Sequence, residues 1–87
     1  MNNDIENLKK RLIYRSQYRG TKEMDKLLGS FVNTYINSFD LEKLNELEKF
    51  LTMDDDSLYK FYNNQLDNIE GANKELLRLF KTFVYKK

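Results

Sequence analysis

The residues with most chemical promise lie between two helical patterns, in Arg19-Gly20-Thr21-Lys22-Glu23-Met24-Asp25. One cation and two carboxylates so close together could trade a proton, pair with each other or grip a charged partner. Acid/base catalysis is the first idea to test and it fails on geometry. Glu23 and Asp25 are two apart on a helix, so they project in different directions and cannot face one substrate. A second cluster, Asp54-Asp55-Asp56, suggests calcium. It lacks the glycine an EF-hand needs at loop position six and has Gln65 where a bidentate glutamate should close the loop. Capping of a following helix is the better account of these aspartates. The chain has no histidine and no cysteine, which removes the commonest metal ligand, the commonest general base and any thiolate. Ser16, Ser30, Ser38 and Ser57 each read as helix, cap or turn residues, and no phosphate-cradling glycine loop or dinucleotide fingerprint is present. The residues point to a non-enzyme, with no metal site and no tightly bound cofactor.

The elements that must position the Arg19–Asp25 stretch are helices. With no proline and only Gly20, Gly29 and Gly71 to interrupt it, the chain shows periods near 3.6 throughout. The fold class is all-α, a small compact bundle of about five helices in one domain over 1–87, with 1–4 and 86–87 as frayed ends. Helix one, capped by Asn3 or Asp4, carries the stripe Ile5, Leu8 and Leu12 and ends near Tyr18 or Arg19. Gly20 fits just past that end, where a left-handed backbone carries no penalty for it. Thr21 reads as the N-cap of helix two, which runs to about residue 37 with Met24, Leu27, Leu28, Phe31 and Tyr35 on one face. Gly29 inside that helix implies a close approach by helix one or helix five. Helix three follows Ser38 or Asp40 and buries Leu41, Leu44, Leu47, Phe50 and Leu51; helix four turns Leu58, Phe61 and Tyr62 inward. Helix five, capped by Asn73, covers the core with Leu76, Leu77, Leu79, Phe80, Phe83 and Val84. Arg19 and Glu23 then sit at a helix–helix corner with their opposite charges presented close together.

Charge narrows the partners. The formal net charge of +1 argues against a globally electrostatic one. Its distribution is uneven: Lys9, Lys10, Arg11, Arg15, Arg19, Lys22 and Lys26 come early, and Asp40, Glu42, Glu46, Glu48 and Asp54 to Asp56 fill the middle. Tyr14 and Tyr18 interleave with the basic residues of helix one, a pattern met in nucleic-acid binders. Near-neutral charge and the lack of recognition-motif spacing exclude that class. No apolar run approaches the roughly 20 residues of a membrane span, so no membrane insertion is expected. The basic ending Lys86-Lys87 could rest on a lipid surface, but closing a small core is the plainer role of the last helix. Asp4 and Glu6 sit where a transit peptide avoids acid, and no signal-peptide core follows. A bacterial cytoplasmic location is expected; a mitochondrial matrix location would require a presequence upstream.

Arg11-Leu12-Ile13-Tyr14, Ser16, then Arg19-Gly20-Thr21-Lys22-Glu23-Met24-Asp25, Leu27-Leu28-Gly29 and Phe31 resemble the signature of the succinate dehydrogenase assembly factor 2 family. Its bacterial members are called SdhE, the flavinators. The likeness continues weakly through Asp54-Asp55-Asp56-Ser57-Leu58-Tyr59-Lys60-Phe61 and covers roughly 8–84. Phe61 stands where the family usually has tryptophan, and Asp56 where it often has proline; neither departure threatens the fold. The resemblance implies a helper that binds the flavoprotein subunit of succinate dehydrogenase, and in bacteria also that of fumarate reductase, and promotes covalent attachment of FAD. It implies a monomer whose partner carries the flavin. The family's R-G-x-x-E motif falls on Arg19, Gly20 and Glu23, with Asp25 matching an acidic position beside it and Arg11 and Tyr14 matching positions on the preceding helix. In such a helper Arg19 would pair with a carboxylate of the partner, Glu23 with a partner arginine or with Arg19 itself, and Gly20 would let two backbones approach. Bacterial relatives are also described as antitoxins against toxins of the cytoskeleton, an alternative interaction-protein reading that uses the same residues.

Overall fold

Four of the five helices start where a short polar side chain satisfies one of the first free backbone N–H groups. The computed structural model describes residues 3–84, in the order α1 (Asn3–Gln17), α2 (Lys22–Tyr35), α3 (Leu41–Phe50), α4 (Asp55–Tyr62) and α5 (Lys74–Thr82). Thr21 caps α2 by accepting from the Met24 N–H, Asp40 caps α3 through Lys43, Asp54 caps α4 through Ser57 and Asn73 caps α5 through Leu76. A short 3-10 turn, Ile36–Ser38, continues α2 and brings the chain to Asp40. No strand occurs among the described residues. The Cα radius of gyration is 12.4 Å, close to the ~12 Å of a compact domain this long.

The core is tied together by aromatic rings from three helices. Phe31 of α2, Phe50 of α3 and Phe80 of α5 are all fully buried. Their ring centroids lie 6.0 Å apart for Phe31–Phe50, 5.2 Å for Phe31–Phe80 and 5.5 Å for Phe50–Phe80, the tilted and edge-on contacts that aromatic quadrupoles favour. Leucines from every helix fill the space around them, including Leu12, Leu28, Leu44, Leu58 and Leu76. Helix α1 packs along α2 and against α3, and α5 closes the bundle over α3 and α4. At the α1–α2 crossing an added Cβ on Gly29 would meet Gln17 Cγ at 3.2 Å, so helix one makes the close approach expected there. Ser16, the one buried polar side chain among the described residues, donates to the Ile13 carbonyl of its own helix.

Four sequence expectations need correction. Asn3 and Asp4 already lie inside α1, so neither is its cap; residues 1–2 and 86–87 of the expected frayed ends, with the basic ending Lys86-Lys87, fall outside the described residues. Leu41 is half exposed because it occupies the first position of α3, ahead of the part that reaches the core. Val84 is exposed because α5 stops at Thr82 and Phe83 turns extended, where its carbonyl accepts from the Tyr62 hydroxyl. The left-handed positions are Asn64 (φ 65°) and Gly71 (φ 86°), not Gly20. Asn64 ends α4: its N–H reaches the Phe61 carbonyl and the Gln65 N–H reaches Lys60, the paired bonds of a Schellman ending.

Candidate functional site

The corner between α1 and α2 is shaped by an arginine that turns inward. After α1 ends at Gln17, Arg19 folds its guanidinium toward the connection between α3 and α4. Nε donates to Asp55 Oδ1 at 2.7 Å, one terminal nitrogen donates to the Leu51 carbonyl at 2.6 Å, and the other to the Met53 carbonyl at 2.8 Å. Only 11% of the Arg19 side chain and 26% of that of Asp55 remain exposed. A planar fork of donors suits this set, because the three acceptors are met at once by one rigid group. The electrostatics agree with the helices: the cation sits where α3 ends and the carboxylate lies in the first turn of α4. The Arg19 guanidinium is thus engaged within its own chain, turned inward from the corner's surface.

Backbone groups complete the clasp. The Gly20 N–H donates to the second oxygen of Asp55 at 2.7 Å, and the Arg19 N–H donates to Asp25 Oδ1. A Cβ on Gly20 would lie 3.0 Å from Asp55 Oδ2. Gly20 thus serves close approach within the chain rather than a left-handed turn. Asp25 faces inward to the corner while Glu23, two residues earlier, is exposed, so the two carboxylates do diverge.

Beside the clasp lies a depression of ≈ 280 Å³ lined by Thr21, Glu23, Met24, Asp55, Asp56 and Tyr59. Met24 is buried and Tyr59 is 46% exposed. Asp56 pairs with Lys60 one turn on, at 3.1 Å; among the described residues Glu23 has no cationic partner. The preceding Asp54 is held below its ordinary carboxylate pKa by the Ser57 backbone N–H and then by the Ser57 hydroxyl. Tyr14 on α1 and Tyr18 just past its end are 63% and 67% exposed, with ring centroids 4.5 Å apart. Arg11 lies further from the corner and pairs with Glu48 of α3 at 3.0 Å, sharing that carboxylate with Arg15 at 3.2 Å.

Of the residues singled out in the sequence, Arg19, Gly20 and Asp25 meet in one hydrogen-bonded cluster and Glu23 borders it. Tyr14 lies on α1 with its ring tilted against that of Tyr18, and Arg11 belongs to a separate bridge. Sequence reasoning missed Asp55 as the counter-ion of Arg19 and Tyr59 as a wall of the depression. The one available signal was the early basic and later acidic halves of the chain. No metal-binding group of carboxylates occurs among the described residues.

The corner holds a shape: its buried charges are matched to one another, and its exposed groups face solvent around a shallow depression. That describes a small helical module that presents a surface. A family model described as "Flavinator of succinate dehydrogenase" matches residues 10–84, and the chain belongs to that family, one of assembly factors and not of enzymes. Among curated relatives, succinate dehydrogenase assembly factor 2, mitochondrial, of Dictyostelium discoideum is 32% identical over 76 residues, covering 87% of this chain and 54% of its own length. The protein of the same name from Debaryomyces hansenii is 35% identical, over 79% of this chain and 62% of its own. The FAD assembly factor SdhE of Acetobacter pasteurianus is 33% identical, over 80% of this chain and 64% of its own. The chain thus spans less than two thirds of the length of each. No solved structure matches it significantly.

Proposed function

We propose that this protein binds the flavoprotein subunit of succinate dehydrogenase and promotes covalent attachment of FAD to it, with the fumarate reductase subunit as a second partner of the same kind. The observation that carries the site assignment is the exposed Glu23 beside a corner whose arginine is already held by three acceptors of its own chain. Arg19, Gly20 and Asp25 act by fixing the corner; Glu23, with Tyr59 and the Thr21 and Asp56 edge of the depression, meets the partner. A carboxylate there suits a partner arginine, which can pair with it through two parallel hydrogen bonds. Tyr14 and Tyr18 extend the contact along α1 as large exposed rings of the type favoured at interfaces. Arg11 adds positive charge farther along the same helix. The flavin supplies the electron sink on the partner, so the helper need only order the partner's groups. It binds FAD weakly or not at all by itself and acts as a monomer.

The test is paired. Glu23→Ala should alter stability by no more than about 0.5–1 kcal/mol, as an exposed substitution does. At matched helper concentration it should strongly reduce in-gel flavin fluorescence of the flavoprotein subunit in cells lacking the native helper. Normal flavinylation by a folded Glu23→Ala protein would contradict the site, though not the family. A pull-down that fails to recover the flavoprotein subunit with the unaltered chain would contradict the partner.

A further inference from the structure

A second polar surface lies on α5 and shares no lining residue with the depression beside Glu23. Lys74, Arg78 and Lys81 border an open concavity of ≈ 340 Å³ whose apolar floor is reached by Phe61 and Leu77, each only 4% exposed. Their spacing of four and three places all three cations on one face of the helix. Many other cations are neutralised in place: Lys9 pairs with Glu6, Arg11 and Arg15 with Glu48, Arg19 with Asp55, Lys43 with Glu75, Lys49 with Glu46 and Lys60 with Asp56, whereas Lys10, Lys22 and Lys26 form no ion pair among the described residues and border no shared concavity with the α5 cations. Among the described residues Lys74, Arg78 and Lys81 form no ion pair, and Asp67 is the one carboxylate lining the concavity. Like charges so spaced repel along a helix. Lys74 also occupies the first turn of α5, where the helix dipole disfavours a cation and favours an anion. Lys81 holds its ammonium 4.5 Å from the centre of the Phe61 ring, so positive charge lies directly against the apolar floor.

We propose that this face of α5 binds a phosphate group carried on an apolar or aromatic body. The guanidinium of Arg78 can hold two phosphate oxygens, the two lysines add charge, and the Phe61–Leu77 floor takes the body. The phosphate could belong to a soluble nucleotide or to an anionic phospholipid headgroup, and the experiment separates them. Amide shifts of the whole chain are followed by NMR during titration with ADP and with inorganic phosphate. Sedimentation is measured with phosphatidylcholine vesicles with and without phosphatidylglycerol.

Saturable shifts at Phe61, Leu77 and Lys81 with ADP, stronger than with inorganic phosphate, support the soluble source. Sedimentation that requires phosphatidylglycerol supports the lipid source. In either case Arg78→Glu should weaken binding about tenfold or more, the loss of a charge-assisted contact, and Arg78→Gln should weaken it less. Lys26→Glu, on α2, should leave it unchanged. The proposal is overturned if neither probe binds, if both Arg78 variants bind as the unaltered chain does, if Lys26→Glu is equally harmful, or if an oligoglutamate peptide competes as well as ADP.

Discussion

Two arginine–carboxylate links tie α1 and the corner after it to the second half of the chain, and they differ in almost everything but their chemistry. Arg11 and Arg15 share Glu48 across the outer seam of α1 and α3, with side chains 50% and 47% exposed. Arg19 meets Asp55 with 11% exposure and also donates to two backbone carbonyls. The sequence separations are alike, 37 and 33 residues for the first link and 36 for the second. The first is water-screened and replaceable; the second is a partly desolvated network in which each partner would be stranded without the other. The contrast shows why the same residue type gives shape in one place and only charge balance in another.

Breaking the inner link should have the largest effect. Arg19→Ala removes three hydrogen bonds, strands Asp55 and leaves two carbonyls without donors. A loss of about 2–4 kcal/mol is expected, lowering the melting temperature by more than about 10 °C. Arg19→Lys should restore less than half of that, since an ammonium cannot meet the three acceptors as a planar fork does. Full restoration by lysine in thermal melts would show that charge alone holds the corner.

Gly20→Ala comes next. Its Cβ would press on Asp55 Oδ2 at 3.0 Å, and displacing that carboxylate should cost about 1–2 kcal/mol. The loss should be much smaller in an Asp55→Ala background, which a double-mutant cycle would reveal. Glu48→Ala, in the outer link, should change stability by no more than about 1 kcal/mol, and less in high salt. A salt-independent loss as large as that of Arg19→Ala would erase the distinction between the two links.

The smallest effect concerns the cap beside the inner link. The folded-state pKa of Asp54 lies below its ordinary 3.8, so its contribution is present above that value and disappears as pH falls through the lowered one. Melts of Asp54→Ala should therefore fall below those of the unaltered chain at neutral pH and converge with them as the pH is taken below the lowered pKa of Asp54. Asp54→Asn, which keeps a capping oxygen without titrating, should not show that convergence.

What the sequence revealed follows the range of the interactions. Thr21 and Asn73 were legible as caps because a cap acts three residues along the chain, and for the same reason Asp40 was one of two candidates and Asp54 one of three. The apolar stripe of α2 was legible because helical periodicity is local. The destination of Arg19 was not, since Leu51, Met53 and Asp55 come near it only after α3 and α4 have packed. Its charge suggested an outward role, and the fold turned it inward. Leu41 and Val84 misled for a simpler reason: a stripe shows which residues share a face, not where the core ends along the helix.

The clasp also bears on how the turn meets a protease. The peptide bond after Arg19 lies in an exposed-looking turn and follows a residue that trypsin recognises. Cleavage requires the arginine side chain to leave for the enzyme's pocket and the local backbone to extend. Here the side chain is held at three acceptors, and the N–H groups of Arg19 and Gly20 are both bound to carboxylates. Digestion at this bond therefore reports the opening of the clasp rather than the exposure of the turn.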